Sequence, residues 1–259
     1  MNERTTDGSA GDVDYGRIGS TSFGYRRPDS RIARAIAAAL GDARSVLNVG
    51  AGCGSYESVA RSVTAVEPSR SMRDRRPAGP APAVDAVAED LPFGDGEFEA
   101  AMTLFSVHEW NDVKAGLREV RRVTRGPVVI LTCDPQLVRD FWLYEYAPEV
   151  LDVEARRHPA IEDMATALGG TGSVESLPVP LDCTDGFNEA YYGRPEMLLD
   201  PAARAACAAW GFVDDAVRGR FTTALSRDLE SGAWDERHGH LRTRPTYEGS
   251  LVLLRAVPL

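Results

Sequence analysis

The chain is 259 residues long, 43% hydrophobic and 26% charged, a composition that excludes a disordered or fibrous protein. Its 39 acidic against 29 basic residues leave a net charge of -10, which argues against a nucleic-acid partner, because proteins that neutralise phosphates carry a basic excess. A single core of this size needs no disulfide or metal staple to be stable.

In chain order, residues 1–14 are polar and acidic and predict a disordered tail before one domain over 15–259. Asp29, after Pro28, predicts the cap of a helix carrying Ile32, Ile36 and Leu40 on one face and stopping at Gly41. Short apolar or β-branched runs follow at Val46 to Val49, Val63 to Val66, Ala83 to Val87, Ala100 to Leu104, Val128 to Thr132, Val174 to Val179 and Leu251 to Leu254. Helical stretches lie between them, most clearly Val113, Leu117, Val120 and Val123, so the pattern predicts an α/β protein with a mostly parallel sheet covered on both faces. Cap segments are expected at about 15–28, 135–170 and 180–245, where Trp142, Phe187, Tyr191 and Tyr192 lie in helical or loop-like sequence.

No run approaches about 18 consecutive apolar residues, so neither a membrane span nor a membrane partner is expected. Cys53, Cys133, Cys183 and Cys207 form no C-x-x-C pair, which fits a reducing, cytoplasmic setting. Lys114 is the only lysine, so lysine chemistry is excluded. His158, His238 and His240 lie in polar, arginine-rich sequence, and His238-Gly-His240 completes no recognised ligand pattern, so no metal site is expected.

Ligands of open α/β sheets bind beyond the carboxyl ends of the strands. The first strand runs into Gly50-Ala51-Gly52-Cys53-Gly54, whose missing side chains let backbone amides approach a ligand. The second ends in Glu67-Pro68-Ser69, and a carboxylate at that tip suits a ribose diol. Ser55 stands where a dinucleotide fingerprint has its third glycine, and little chain separates Gly54 from Val63, so a pyrophosphate cofactor is disfavoured.

Five blocks in order carry a family resemblance: Val46 to Gly54; Ala65 to Ser69 with Met72; Ala88-Glu89-Asp90-Leu91-Pro92-Phe93; Phe98 to Ala101 leading to Val107-His108-Glu109-Trp110; and Leu117 to Val123. Together they resemble the class I S-adenosylmethionine-dependent methyltransferases, in particular the type 11 group that includes the ubiquinone and menaquinone C-methyltransferases. The resemblance implies a Rossmann-like, seven-stranded, mostly parallel sheet with a helical cap insertion, and S-adenosylmethionine as cofactor. It implies that Asn48, Gly50, Ala51 and Gly52 hold the methionyl end, Glu67, Pro68 and Ser69 the ribose, and Met72, Ala88 and Glu89 the adenine, with Leu104 and Phe105 beside the methionyl part. Asn48 and Val87 stand where the family usually has acidic residues, and Asn48 in place of Asp weakens charge pairing with the cofactor's ammonium.

The sulfonium arrives activated, so the protein needs a base only if the acceptor must lose a proton. His108, after the fourth strand run, is the leading candidate base, with Glu109 and Asp134 behind it. A small-molecule acceptor is expected against His108, Trp110, Trp142, Phe187, Tyr191, Tyr192 and Arg194, with Tyr25 folding over the cofactor and a neighbouring arginine reaching a carboxylate. The alternative keeps the cofactor but not the transfer, as a cyclase, an isomerase or a binding protein on the same scaffold. Nothing in the sequence speaks to oligomeric state.

Overall fold

The computed structural model describes residues 7–9, 24–77 and 82–259. A six-stranded sheet organises them, with strands β1 (Ser45–Val49), β2 (Ser62–Val66), β3 (Ala100–Leu104), β4 (Val128–Cys133), β5 (Thr171–Ser176) and β8 (Leu251–Val257) in the order β2-β1-β3-β4-β8-β5. The pairs around β1 and β3 are parallel, and β8 alone runs antiparallel to both of its neighbours. Two short strands, β6 (Val179–Pro180) and β7 (Thr246–Tyr247), pair in the cap.

One strand fewer forms than expected. The run Ala83 to Val87 contributes a single parallel bridge from Val84 to Val66. Pro82 lacks an amide donor, and the Asp85 carboxylate turns outward to Arg73, which is incompatible with a buried ladder. The expected disordered tail lies outside the described residues except for 7–9. There Asp7 accepts hydrogen bonds from the Ser69 and Ser71 hydroxyls, and Ser9 is buried.

Side-chain alternation sorts the sheet into two cores. On one face Val129, Leu131 and Cys133 of β4 meet Ile32, Ile36 and Leu40 of helix α1 (Ser30–Leu40) and the cap. Asp29 begins that helix by accepting from the Arg31 amide, and Gly41 ends it at φ 61°. On the other face Val128 and Ile130 meet Leu117, Val120 and Val123 of helix α3 (Val113–Val123). Helix α5 (Ile161–Leu168) belongs to this second layer through Ile161, Met164 and Leu168, so the expected cap segment 135–170 divides. Its first part, including helix α4 (Pro148–Arg157), packs on the α1 face, and its second flanks the sheet. The chain between Gly50 and Arg61 forms turns, and only the short helix α2 (Arg70–Arg73) follows β2.

The strand order reverses between β2-β1 and β3-β4, which opens a crevice at the carboxyl ends of these strands. The glycine loop, Glu67, Phe105 and Cys133 all sit at those ends.

Candidate cofactor and acceptor site

A cavity of about 240 Å3 runs from the glycine loop, past Phe105 and His108, to an inner end walled by the cap. Asn48, Gly50, Ala51, Glu67, Pro68, Met72, Ala88, Leu104 and Phe105 line its outer half. Ser9, from the N-terminal segment, and Tyr56 join them.

The glycine loop works by shape more than by donation. The amides of Gly50 and Ala51 both donate to Val66 O at 2.9 Å, and Gly52 N donates to Glu67 Oε2 at 2.7 Å, so these N–H groups are already used within the protein. Gly50 is required for another reason. It sits at φ 68°, and a Cβ there would lie 1.7 Å from the Ser106 Oγ.

Glu67 is buried and fixed by two backbone donors, Gly52 N on Oε2 and Ser69 N on Oε1. Burial pushes its carboxyl above the usual range, and the two amides and nearby Arg73 and Arg76 oppose that rise. Asn48 is also buried. Its amide donates to Glu57 Oε1, Glu57 is held by Arg76 at 2.6 Å, and among the described residues Asn48 Oδ1 has no hydrogen bond.

Three residues expected at the cofactor point elsewhere. Ser69 is turned into the fold, where its hydroxyl caps α2 and bonds Asp7. The Glu89 carboxylate accepts from the Asp112 amide in front of α3 and does not line the cavity. The Tyr25 hydroxyl bonds Asp200, outside the cavity, and it is the next residue, Arg26, that enters. Arg26 pairs with Asp185 and lies 4.9 Å over the Phe105 ring. Gly52 stands one bond behind the wall, holding Glu67.

Phe105 itself has φ 52°, an uncommon backbone conformation for an aromatic residue. Its amide is fixed by Leu131 O at 2.8 Å, and its ring meets Phe187 at 5.5 Å. Phe105 and Phe187 both line the cavity, an aromatic pair between the glycine loop and the cap.

The inner half is densely polar. His108, Glu109 and Phe187 line it as the sequence suggests, whereas Trp110 lines the cavity beside Gly50 and Ala88 in the outer half. Cys133, Glu154, Arg157, His158, Asp185, Asn188 and Cys207 line the inner half unannounced. His108 Nε2 lies 3.1 Å from Glu109 Oε1, which also accepts from Arg157 Nη2 at 2.6 Å. Burial alone would push the Glu109 carboxyl up, but the His108 and Arg157 contacts outweigh it and hold the group below the usual carboxylate range. The His108 and His158 rings meet at 4.3 Å, and burial beside His108 and Arg157 keeps the His158 imidazole neutral, well below its ordinary pKa. Asn188 donates to Glu154 at 2.7 Å, and burial raises the Glu154 carboxyl.

Five other expected site residues prove structural. Asp134 turns its carboxylate to the Gln136 amide and lies off the cavity. Trp142 donates to Tyr192 O and packs edge-on against Trp234 in the cap core. Tyr192 stacks on Tyr247 and donates to Arg244 O, and Tyr191 is buried beneath the Arg194 guanidinium. Arg194 Nη2 holds the carbonyls of Cys183 and Ala190. These side chains tie the cap to itself, because a layer built across irregular chain must satisfy many carbonyls by side-chain donors. His238 packs against Trp142 and Trp234 and pairs with Glu145, while His240 is exposed.

Comparison with known proteins agrees with this geometry. Residues 47–130 match the family model described as a methyltransferase domain. Over 60 residues the chain is 40% identical to the uncharacterized protein YafE of Escherichia coli (strain K12), a match spanning 22% of this chain and 29% of YafE. A solved structure described as a candidate methyltransferase from an antibiotic biosynthesis pathway of Anabaena variabilis ATCC 29413 superposes with a TM-score of 0.83 at 26% identity, covering 90% of this chain and 99% of that one. The 4+2 cyclase SpnF shares the fold at a TM-score of 0.51 and 14% identity, over 98% of this chain and 88% of its own.

Proposed function

We propose, for a chain that belongs to the class I S-adenosylmethionine-dependent methyltransferases and takes S-adenosylmethionine as its cofactor, that the methyl acceptor is a small molecule held in the inner half of the cavity. The observation that carries this reading is the continuity of the cavity: one space joins the glycine loop to a polar chamber beyond Phe105. A cavity of about 240 Å3 in all, shared between cofactor and acceptor, suits a metabolite better than a loop of another macromolecule.

The outer half fits the cofactor by its own chemistry. Asn48 Oδ1 is a buried acceptor without a hydrogen bond among the described residues, Glu67 is a pre-oriented carboxylate, and Gly50 keeps the wall open. Asn48 and Ala51 would hold the amino-acid end, Glu67 the ribose hydroxyls, and Met72 and Ala88 the adenine. When bound, the cofactor supplies a methyl group on a positively charged sulfur.

The Phe105 and Phe187 rings would flank the reacting centre with apolar surface and limit water there. Where the acceptor must lose a proton, His108 is the candidate base that faces the chamber, since burial beside His108 and Arg157 disfavours a protonated His158. Glu109 holds His108 in place rather than acting as a base, since Arg157 and His108 already share its Oε1.

Stoichiometric release of S-adenosylhomocysteine across a panel of small hydroxyl, amine and carbon-acid metabolites tests the reading. Cofactor binding without release for any acceptor, or conversion of a substrate with no release, would place the protein with the non-methylating relatives of this fold.

A further inference from the structure

Three side chains that the proposed transfer does not use as a set converge in the inner half of the cavity. Cys133 ends β4, Glu154 lies on α4, and His158 caps that helix one turn later, so the last two share a helix face while the strand end delivers the thiol. One ligand atom from each, a sulfur, a carboxylate oxygen and an imidazole nitrogen, lies within 4.8 Å of the other two. All three residues line the cavity, and Cys133 and His158 are themselves more than nine-tenths buried.

Two further observations point to a cation here. Thr132 Oγ1 lies 3.0 Å from His158 Nδ1 in the interior, leaving Nε2 to ligate, and a bond of this kind holds the ring of a metal-binding histidine. Charge is also unevenly matched. Arg26 is bonded to Asp185 and Arg157 to Glu109, whereas Glu154 takes its hydrogen bond from the uncharged Asn188 amide and feels His108, Arg26 and Arg157 only at longer range.

We propose that Cys133, Glu154 and His158 form a binding site for a divalent cation of the zinc or cobalt class, with a fourth coordination position turned to the cavity. A mixed sulfur, nitrogen and oxygen set suits such an ion better than magnesium or calcium, which take oxygen. Metal–ligand bonds of about 2.0–2.3 Å require the three atoms to draw together by about 1 Å. On binding, the Cys133 S–H bond breaks, a sulfur–metal bond forms and the proton leaves to solvent. The dication, one thiolate and one carboxylate are together neutral, the combination an enclosed site tolerates best. An open position would hold an oxygen or nitrogen of the acceptor and ease loss of its proton. That role rests on the proposed function, whereas ion binding does not.

The test strips the purified full-length protein with a chelator and titrates it with Co2+. S-adenosylhomocysteine binding is measured in parallel by calorimetry. The expected result is one equivalent of Co2+, a thiolate-to-cobalt charge-transfer band and release of about one proton per ion. Cys133→Ser abolishes the band, Glu154→Gln weakens Co2+ binding about tenfold or more, and Thr132→Val weakens it about 10–100-fold, each with nucleoside binding retained. Failure of the wild-type protein to take stoichiometric Co2+, or a band that survives in Cys133→Ser, overturns the site. Co2+ uptake by a protein that binds no S-adenosylhomocysteine would instead overturn the methyl-transfer reading and leave the metal site standing.

Discussion

Arg157→Met probes the wall of the inner chamber. Arg157 and Glu109 are both about nine-tenths buried and bonded at 2.6 Å, and Glu109 Oε2 is a buried oxygen with no hydrogen bond among the described residues. Removing the guanidinium leaves a buried carboxylate supported only by His108, a loss of about 3–5 kcal/mol. For a domain of this size that lowers the Tm by on the order of 10 °C. Glu109→Met combined with Arg157→Met removes both charges and should recover much of the loss, because a matched apolar pair avoids the desolvation cost. Urea unfolding across pH gives a second signature. In the wild type the Glu109 carboxyl is held low, so its contribution is present above the unfolded carboxylate pKa and is lost as pH falls through the lower folded value. In Arg157→Met burial dominates, the folded pKa rises, and stability falls as pH rises. The difference between the two proteins therefore widens from about pH 4 to pH 7. A loss under about 1 kcal/mol at pH 7, or a gap independent of pH, would refute this account.

Glu67→Gln replaces one acceptor oxygen with an amide donor facing a backbone N–H, so calorimetry should show S-adenosylhomocysteine affinity reduced about 10–100-fold, equivalent to about 1.5–3 kcal/mol. Gly50→Ala combines a positive φ with a clash against Ser106, and both the melting temperature and nucleoside binding should fall, with Ser106→Gly restoring part of each. Asp29, buried at the start of α1 and held to a pKa of about 2 mainly by Arg31, stabilises the fold above its unfolded pKa and loses that contribution as pH drops toward 2. Asp29→Ala should lose about 1–2 kcal/mol at pH 7 from the cap and the partly solvent-screened ion pair, and much less at pH 2.5.

The cofactor half was legible in sequence because it is local. Gly50, Glu67, Ala88 and Phe105 each follow a short apolar run, and the carboxyl ends of parallel strands meet by topology alone. The acceptor half was not. Trp142, Tyr191 and Tyr192 have the composition of a pocket wall, yet composition does not say which face of a cap layer a ring takes, and here the core takes all three. Glu154 and His158 carried a readable signal, a carboxylate and an imidazole one helical turn apart, but Arg156 and Arg157 between them made the stretch look like a solvated face. Cys133 joins them only through the packing of α4 on the end of β4. The missing strand at Ala83 to Val87 shows the same limit from the other side, since the apolar pattern was present and the neighbouring chain did not allow the ladder.

The antiparallel course of β8 carries a further consequence. Ser176 pairs with Val252, and Leu177 N donates to Leu251 O, so residues 177–250 leave and re-enter the sheet at one point. Topologically this part of the cap is an enlarged hairpin loop. Doubling the length of such a loop costs only about 0.6 kcal/mol in closure entropy. Replacement of this segment, which contributes Asp185, Phe187, Asn188 and Cys207 to the chamber, leaves every strand pairing of the six-stranded sheet intact. On the proposed function, acceptor preference would be exchangeable as a cassette, without rebuilding the strand ends that line the outer half.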